Sequence, residues 1–318
     1  MGFSRNGIYY YGAQKEMKDV YIAGIDLVTG KLISPPVLAT QRFAGSNHSP
    51  DWSADGKELV YLSQRATGAW GVRTICIRSG ESGKEREITS KLNQLSWVRW
   101  STDGSSLLTA GPHPNGGYGQ FRINIQTGDY EPLLRSHIGW PAVWARDGKA
   151  IFSCHDTTND RIPIVMWDLK THQEKKLYSL TNDSSYYTSG LALSPDGRNL
   201  AFSVSESGQK IIKVLPVNGG VVRELLREDK SMMSFAFGFG TVAWTPDGWS
   251  VLFVRQTSPS DSKRELWRIP LEEGKPQKLD LAADNMRELS VHPDGRQIAF
   301  TAGKIRSELW MMENFLPE

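Results

Sequence analysis

An all-β chain, folded as a β-propeller of four-stranded antiparallel blades, is what this sequence predicts, and three observations carry the prediction. A turn motif recurs along the whole chain at a near-constant interval. Each copy of the motif is flanked by short apolar runs rich in β-branched and aromatic residues. The composition, with 30 Gly, 11 Trp, 10 Tyr and 11 Phe among 318 residues, suits many turns and short strands packed face to face.

The motif is an Asp-Gly pair at Asp55-Gly56, Asp103-Gly104, Asp147-Gly148, Asp196-Gly197, Asp247-Gly248 and Asp294-Gly295, spaced by 48, 44, 49, 51 and 47 residues. A degenerate copy, Asn6-Gly7, stands 49 residues before the first. Repeats of this length mark propeller blades, each a sheet that cannot bury both faces alone. The unit reads in order. An inner strand ends on Trp52, Trp100, Trp144, Leu193, Trp244 or Val291, followed in most copies by Ser or Thr. Asp-Gly then makes a tight turn, because Gly accepts positive φ and Asp bonds nearby backbone. A second strand begins four residues beyond each Asp, at Leu59, Leu107, Ile151, Leu200, Val251 and Ile298. A third strand follows, as in residues 19–26, 120–125, 162–168, 211–215 and 265–271. Turns such as Thr29-Gly30, Thr127-Gly128 and Gly219-Gly220 lead to a fourth, more polar strand.

Counting Asn6-Gly7 as a worn turn gives seven blades in one domain spanning 1–318, the first and last incomplete. The first unit has almost no inner strand, and the last ends after residues 308–312. Six blades, with the spare N-terminal segment closing the ring, is the alternative.

The pattern Ser194–Ser203 (Ser-Pro-Asp-Gly-Arg-Asn-Leu-Ala-Phe-Ser), echoed by Trp244–Phe253 and His292–Thr301, resembles the TolB-type, WD-like repeat of bacterial propellers over nearly the whole chain. The stretch Glu308–Pro317 is similar to the ends of modular bacterial signalling proteins in which a propeller follows a Ser/Thr kinase or winged-helix domain. A membrane helix commonly separates the two parts there, so the resemblance implies a periplasmic or extracytoplasmic propeller, with a cytoplasmic one as the alternative. Other relatives of this repeat include peptidases gated by a propeller and stand-alone binding propellers, so the family fixes fold better than function.

Charge narrows the partners. Lys and Arg total 37 against 35 Asp and Glu, a net charge of +2 that gives no reason to expect nucleic acid or an anionic membrane surface. No apolar run approaches the roughly 18–20 residues of a membrane helix, and residues 1–12 lack the layout of a signal peptide. Cys76 and Cys154 sit in apolar stretches and read as buried thiols. The expected partner is a protein, a peptide, or a small polar or carbohydrate ligand; the expected state is a monomer or one part of a larger modular chain.

Alternation along the inner strands sorts their residues. Those two before the Trp position (Pro50, Val98, Ala142, Leu191, Val242, Leu289) share its packing face. Those one before (Asp51, Arg99, Val143, Ala192, Ala243, Ser290) and three before (Ser49, Trp97, Pro141, Gly190, Thr241, Glu288) face a central channel. Asp51 and Arg99, equivalent in successive blades, are expected to form an inter-blade ion pair. Candidate ligand contacts at the channel mouth are Asn47, His48, Trp97, Arg99, His137, Trp140, Tyr186, Tyr187, Phe239 and Arg287, aromatics and donors that would suit a polar ligand. Further aromatic and polar residues, Trp70, His113, Tyr118, His155 and Asp156, fall in outer loops.

Motifs of catalysis are missing. There is no Gly-x-Ser-x-Gly elbow, no His-Glu-x-x-His, no paired Cys-x-x-Cys and no phosphate-cradling glycine loop. Residues 155–160 lack the ligand spacing of a calcium hand. No catalytic residue, metal or cofactor is assigned. The leading expectation is a non-catalytic recognition or sensory module. The alternative is an enzyme, a metal-assisted lyase or lactonase, with His48, His137 and Arg287 converging at the mouth.

Overall fold

A computed structural model describes the chain except residues 1, 4–7, 41–42, 66–71, 93, 137–141, 155–162, 180–189, 230–240, 257, 259–260 and 313–318. Asn6-Gly7 therefore lies outside the described residues. The strands form six antiparallel sheets arranged as six blades. Blade 1 runs Asn47–Trp52, Glu58–Gln64, Arg73–Ser79, Glu85–Ile88 from inner to outer strand. Blade 2 follows with Val98–Trp100, Ser106–Pro112, Tyr118–Asn124, Tyr130–Ser136, and blade 3 with Ala142–Trp144, Ala150–Cys154, Pro163–Asp168, Glu174–Ser179. Blade 4 comprises Leu191–Leu193, Asn199–Glu206, Gln209–Pro216, Arg223–Asp229; blade 5 comprises Val242–Trp244, Ser250–Gln256, Lys263–Pro270, Gln277–Asp284.

Blade 6 overturns the seven-blade count in favour of six. Its inner strands, Arg287–Val291 and Gln297–Met312, come from the end of the chain; its outer strands, Tyr9–Ile25 and Leu32–Leu38, come from the beginning. The two incomplete units are halves of one sheet. Residues 308–312 are not a third strand but the continuation of the second. They pair with Tyr9–Ala13 in a ladder that runs unbroken from Gly24↔Gln297 to Tyr9↔Met312. The physical reason is edge satisfaction: each half-blade alone would leave a row of unpaired backbone groups, and joining the halves pairs them.

The repeated turn explains itself atom by atom. In blade 1 the Ser53 hydroxyl donates to Asp55 Oδ1 at 2.7 Å and accepts from the Glu58 N–H at 2.9 Å, while Asp55 Oδ1 also accepts from the Lys57 N–H at 3.0 Å. Ser101/Asp103, Ser194/Asp196 and Thr245/Asp247 repeat the arrangement. These donors hold the carboxyls of Asp55, Asp103 and Asp196 below the usual value. Gly56, with φ 72°, takes the left-handed conformation that closes the turn.

The Trp that precedes four of the six turns packs on the preceding blade. Trp100 joins Val60 and Leu62 of blade 1, Trp144 joins Leu108 of blade 2, Trp244 joins Val214 of blade 4, and Trp52 joins Val20 and Ala299 of blade 6. The indole N–H of Trp100 donates to the Asp51 carbonyl at 3.1 Å, and that of Trp244 to the Ala192 carbonyl at 3.0 Å, equivalent positions in two junctions. Large apolar side chains fully buried at such junctions each contribute roughly 1.5–3 kcal/mol. The core is thus distributed between blades, and the ring is stable only when closed. No helix among the described residues is long and apolar enough to cross a membrane.

Candidate functional site

The inner strands surround a channel, and its lower half is a cavity of about 630 Å³ open toward the Asp-Gly turns. Two rings line it. The first holds the residues one before the Trp position, Asp51, Arg99, Val143, Ala192, Ala243 and Ser290, where alternation placed them. The second holds the residues two after it: Ala54, Thr102, Arg146, Pro195, Pro246 and Pro293. Asp51 is locked into the wall. Its Oδ2 accepts from the Trp100 N–H at 2.8 Å and its Oδ1 from the Ser290 hydroxyl at 3.1 Å, so it bridges three blades. Burial raises its carboxyl above the ordinary value, opposed by the Arg99 charge and these two donors. The expected Asp51–Arg99 ion pair does not form. Arg99 instead turns Nη1 onto its neighbour's carbonyl, Val98 O, at 2.8 Å, and its charge reaches the Asp51 carboxyl only over a longer distance.

A second polar constellation lies where blade 6 meets blade 1, and here simple alternation fails. Both inner strands carry a bulge, between His48 and Asp51 and between Arg287 and Ser290. Ser49 (φ 60°) and Glu288 (φ 55°), equivalent positions in adjacent blades, are both left-handed non-glycine residues. Each bulge sets two residues against one and so reverses the facing of what precedes it. His48 thereby joins the face of Asp51, and Arg287 the face of Ser290.

Glu288, 4% exposed, is the centre of this constellation. Its Oε2 accepts from the Ser49 N–H at 2.8 Å and the Thr301 hydroxyl at 2.5 Å; Oε1 lies 3.9 Å from His48 Nδ1. His48 is 3% exposed and its Nε2 has no hydrogen-bond partner. Burial pushes its imidazole well below the usual value, and the charges of Lys18, Arg73 and Arg287 push the same way. The ring is neutral at pH 7, so its approach to Glu288 is a contact rather than an ion pair. Asn47, fully buried, donates to Asp19 Oδ1 at 2.6 Å and to the Phe43 carbonyl at 3.0 Å, tying blade 1 to the N-terminal strand of blade 6.

Of the ten residues proposed from sequence, the structure brings His48, Asn47 and Arg287 to this junction and puts Arg99 on the channel wall. Trp97 is 1% exposed and packs between blades 2 and 3 against Ala142, a core position rather than one facing a ligand. His137, Trp140, Tyr186, Tyr187 and Phe239 lie outside the described residues, as do Trp70, His155 and Asp156. Glu288, Arg73 and Arg146 were missed as site residues. Arg146 was legible, being equivalent to the turn-flanking prolines of blades 4–6, whereas Arg73 comes from a third strand with no periodic signal. Among the described residues no three His, Cys, Asp or Glu side chains form a group able to hold a metal ion.

No family model matches the chain. A curated relative, the uncharacterized peptidase YuxL of Bacillus subtilis, is 30% identical over 156 residues, 49% of this chain but only 21% of that protein, so the match spans about a fifth of its length. Among solved structures, a putative TolB from Agrobacterium tumefaciens superposes with a TM-score of 0.69 at 18% identity, covering 90% of this chain and 99% of that one. The oligogalacturonate lyase of Vibrio parahaemolyticus superposes with a TM-score of 0.57 at 11% identity, covering 94% and 98%. At such identities the likeness is one of fold, and in fold this chain is similar to the TolB-type propellers.

Proposed function

We propose that the chain is a recognition propeller, a sensory or protein-interaction module of a bacterial protein, binding a peptide, a carbohydrate or another small polar ligand at the upper channel mouth. One observation carries the reading: the junction of blades 6 and 1 holds polar chemistry that packing does not need. Two non-glycine residues in left-handed conformations cost about 1–3 kcal/mol each, and a buried carboxylate beside an unbonded imidazole nitrogen adds a desolvation penalty. Such costs concentrate where a ligand is met. The modular, extracytoplasmic setting rests on the resemblance of residues 308–317 to the ends of modular signalling proteins.

A second reading, an enzyme acting at the mouth as a metal-assisted lyase or lactonase, draws support from the likeness to the oligogalacturonate lyase fold. The described residues fit it poorly. His48 and Glu288 make two ligands where three are wanted, and Lys18, Arg73 and Arg287 surround His48 with positive charge that opposes a divalent cation.

A thermal-shift screen of peptides, oligosaccharides and Mn²⁺ tests both, since a ligand that binds only the native state raises Tm. The recognition reading expects a peptide or saccharide that raises Tm by several degrees in the natural chain and in Arg146→Gln, but not in Glu288→Gln. Stabilisation by Mn²⁺ alone, or a shift that Glu288→Gln retains in full, contradicts it.

A further inference from the structure

The lower channel has two unlike walls. Blades 1–3 contribute every charged side chain, Asp51, Arg99 and Arg146, whereas blades 4–6 contribute none and line the cavity mainly with Ala192, Ala243 and the prolines Pro195, Pro246 and Pro293. These are equivalent positions of one repeated unit, so the fold itself imposes no difference between them. The asymmetry is written in side chains alone.

The polar wall is positively charged. Each carboxylate oxygen of Asp51 accepts one hydrogen bond from the wall, one from the Trp100 N–H and one from the Ser290 hydroxyl. Neither Arg99 nor Arg146 forms an ion pair with it: Arg99 is half-buried on the Val98 carbonyl, and Arg146 is exposed at the lower opening. Two guanidinium groups from adjacent blades therefore border the cavity with no carboxylate in direct contact, Asp51 acting on Arg99 only over a longer distance. Opposite them the three pyrrolidine rings, held at fixed φ, form a rigid apolar ledge reached from the Asp-Gly side. A cavity of about 630 Å³ lies in the range that holds small ligands.

We infer that this lower cavity is a second binding site, distinct from the upper mouth, which takes a carboxylate carrying a compact apolar body. The carboxylate sits against Arg99 and Arg146, where planar guanidinium groups match its two oxygens, and the apolar body lies on the proline ledge. Two sources present this chemistry, a free aliphatic acid and the C-terminal residue of a peptide chain.

Calorimetric titration of the intact chain at low salt tests the assignment with three probes: hexanoate, N-acetyl-Ala-Pro-Leu with a free carboxylate, and the same peptide as its C-terminal amide. The expected result is that at least one acid binds with Kd below about 1 mM and the amide at least tenfold more weakly. Arg99→Gln and Arg146→Gln should each weaken the acid roughly tenfold, the loss of one charge-assisted contact, while Arg99→Lys retains part of the affinity. Binding of hexanoate and peptide acid alike assigns the site to carboxylates in general; binding of the peptide acid alone assigns it to chain termini. Equal affinity for acid and amide, no binding of either acid, or full affinity in the Arg146→Gln variant overturns the inference. Arg146 is exposed and its replacement leaves the core intact, so the test stands even if Arg99→Gln fails to fold. Glu288→Gln should leave acid binding unchanged, which separates failure of this site from failure of the upper one.

Discussion

His48 shows how much of this protein's behaviour is decided by a single buried group. The imidazole is held well below its ordinary value of 6.5 by burial and by three neighbouring cations, so the unfolded chain binds a proton there that the folded chain refuses. Stability linked to this residue is complete above about pH 6.5 and is lost as pH falls below it, because protonation then favours the unfolded state. Denaturant melts of the natural chain at pH 7, 6 and 5 should show a steady fall in stability, and His48→Gln should flatten that slope. An unchanged slope in the variant would show that His48 titrates normally. The carboxyls of Asp55, Asp103 and Asp196 act in the same direction at lower pH, being held below the usual value by turn donors; their contribution disappears only as pH falls below about 4. In the sequence His48 was visible as a candidate, but its facing was not. The bulge that turns it depends on Ser49 at positive φ, and nothing in the letters His-Ser-Pro-Asp announces a two-against-one register.

At the scale of the element, the turn was the most legible part of the chain. Trp-Ser-x-Asp-Gly encodes the inner strand's end, the hydroxyl that donates to Asp, and the glycine that closes the turn. The copies still differ in context. A Cβ at Gly104 would meet nothing within 4 Å, whereas one at Gly56 would lie 2.4 Å from His292 Nε2. That His292 ring contacts the Gly56 carbonyl at 2.9 Å and stacks edge-on against Trp52 at 4.7 Å, fastening blade 6 to blade 1. Both glycines have positive φ, 72° and 69°, so alanine costs roughly 1 kcal/mol at either through the backbone. Gly104→Ala should show only that, while Gly56→Ala should lose about 2–3 kcal/mol by also displacing His292. Equal losses in chemical denaturation would mean that the His292 contact contributes nothing. Strand faces were equally legible one residue before Trp, where all six positions line the channel. Three residues before it, the prediction failed at Ser49 and Glu288, where bulges break the alternation, and at Trp97, which packs between blades 2 and 3.

For the whole molecule, the repeat identified a propeller but miscounted it, and the reason is physical. A period reports copies of a unit along the chain, whereas blade number depends on which sheet edges pair in space. The two incomplete units carry complementary edges, and their pairing is a contact between residues 273 to 303 positions apart, from Gly24↔Gln297 to Tyr9↔Met312, to which no local pattern points. That closure also places the upper site: Glu288 comes from the last inner strand, Asp19 from the N-terminal strand laid beside its blade, and His48 and Asn47 from the first blade that the closed ring brings against them. The most direct measurement is therefore a cross-link through the closing blade. Gln14 and Ser307 are register partners there, and cysteines at directly opposed strand positions fall within disulfide reach, while the native Cys76 and Cys154 are buried. The double variant Gln14→Cys/Ser307→Cys should oxidise to an intramolecular disulfide under native conditions, raising Tm and joining the two ends of a chain cleaved between them. Free thiols in the folded protein, or a disulfide found only between separate molecules, would contradict a six-bladed ring closed by its own termini.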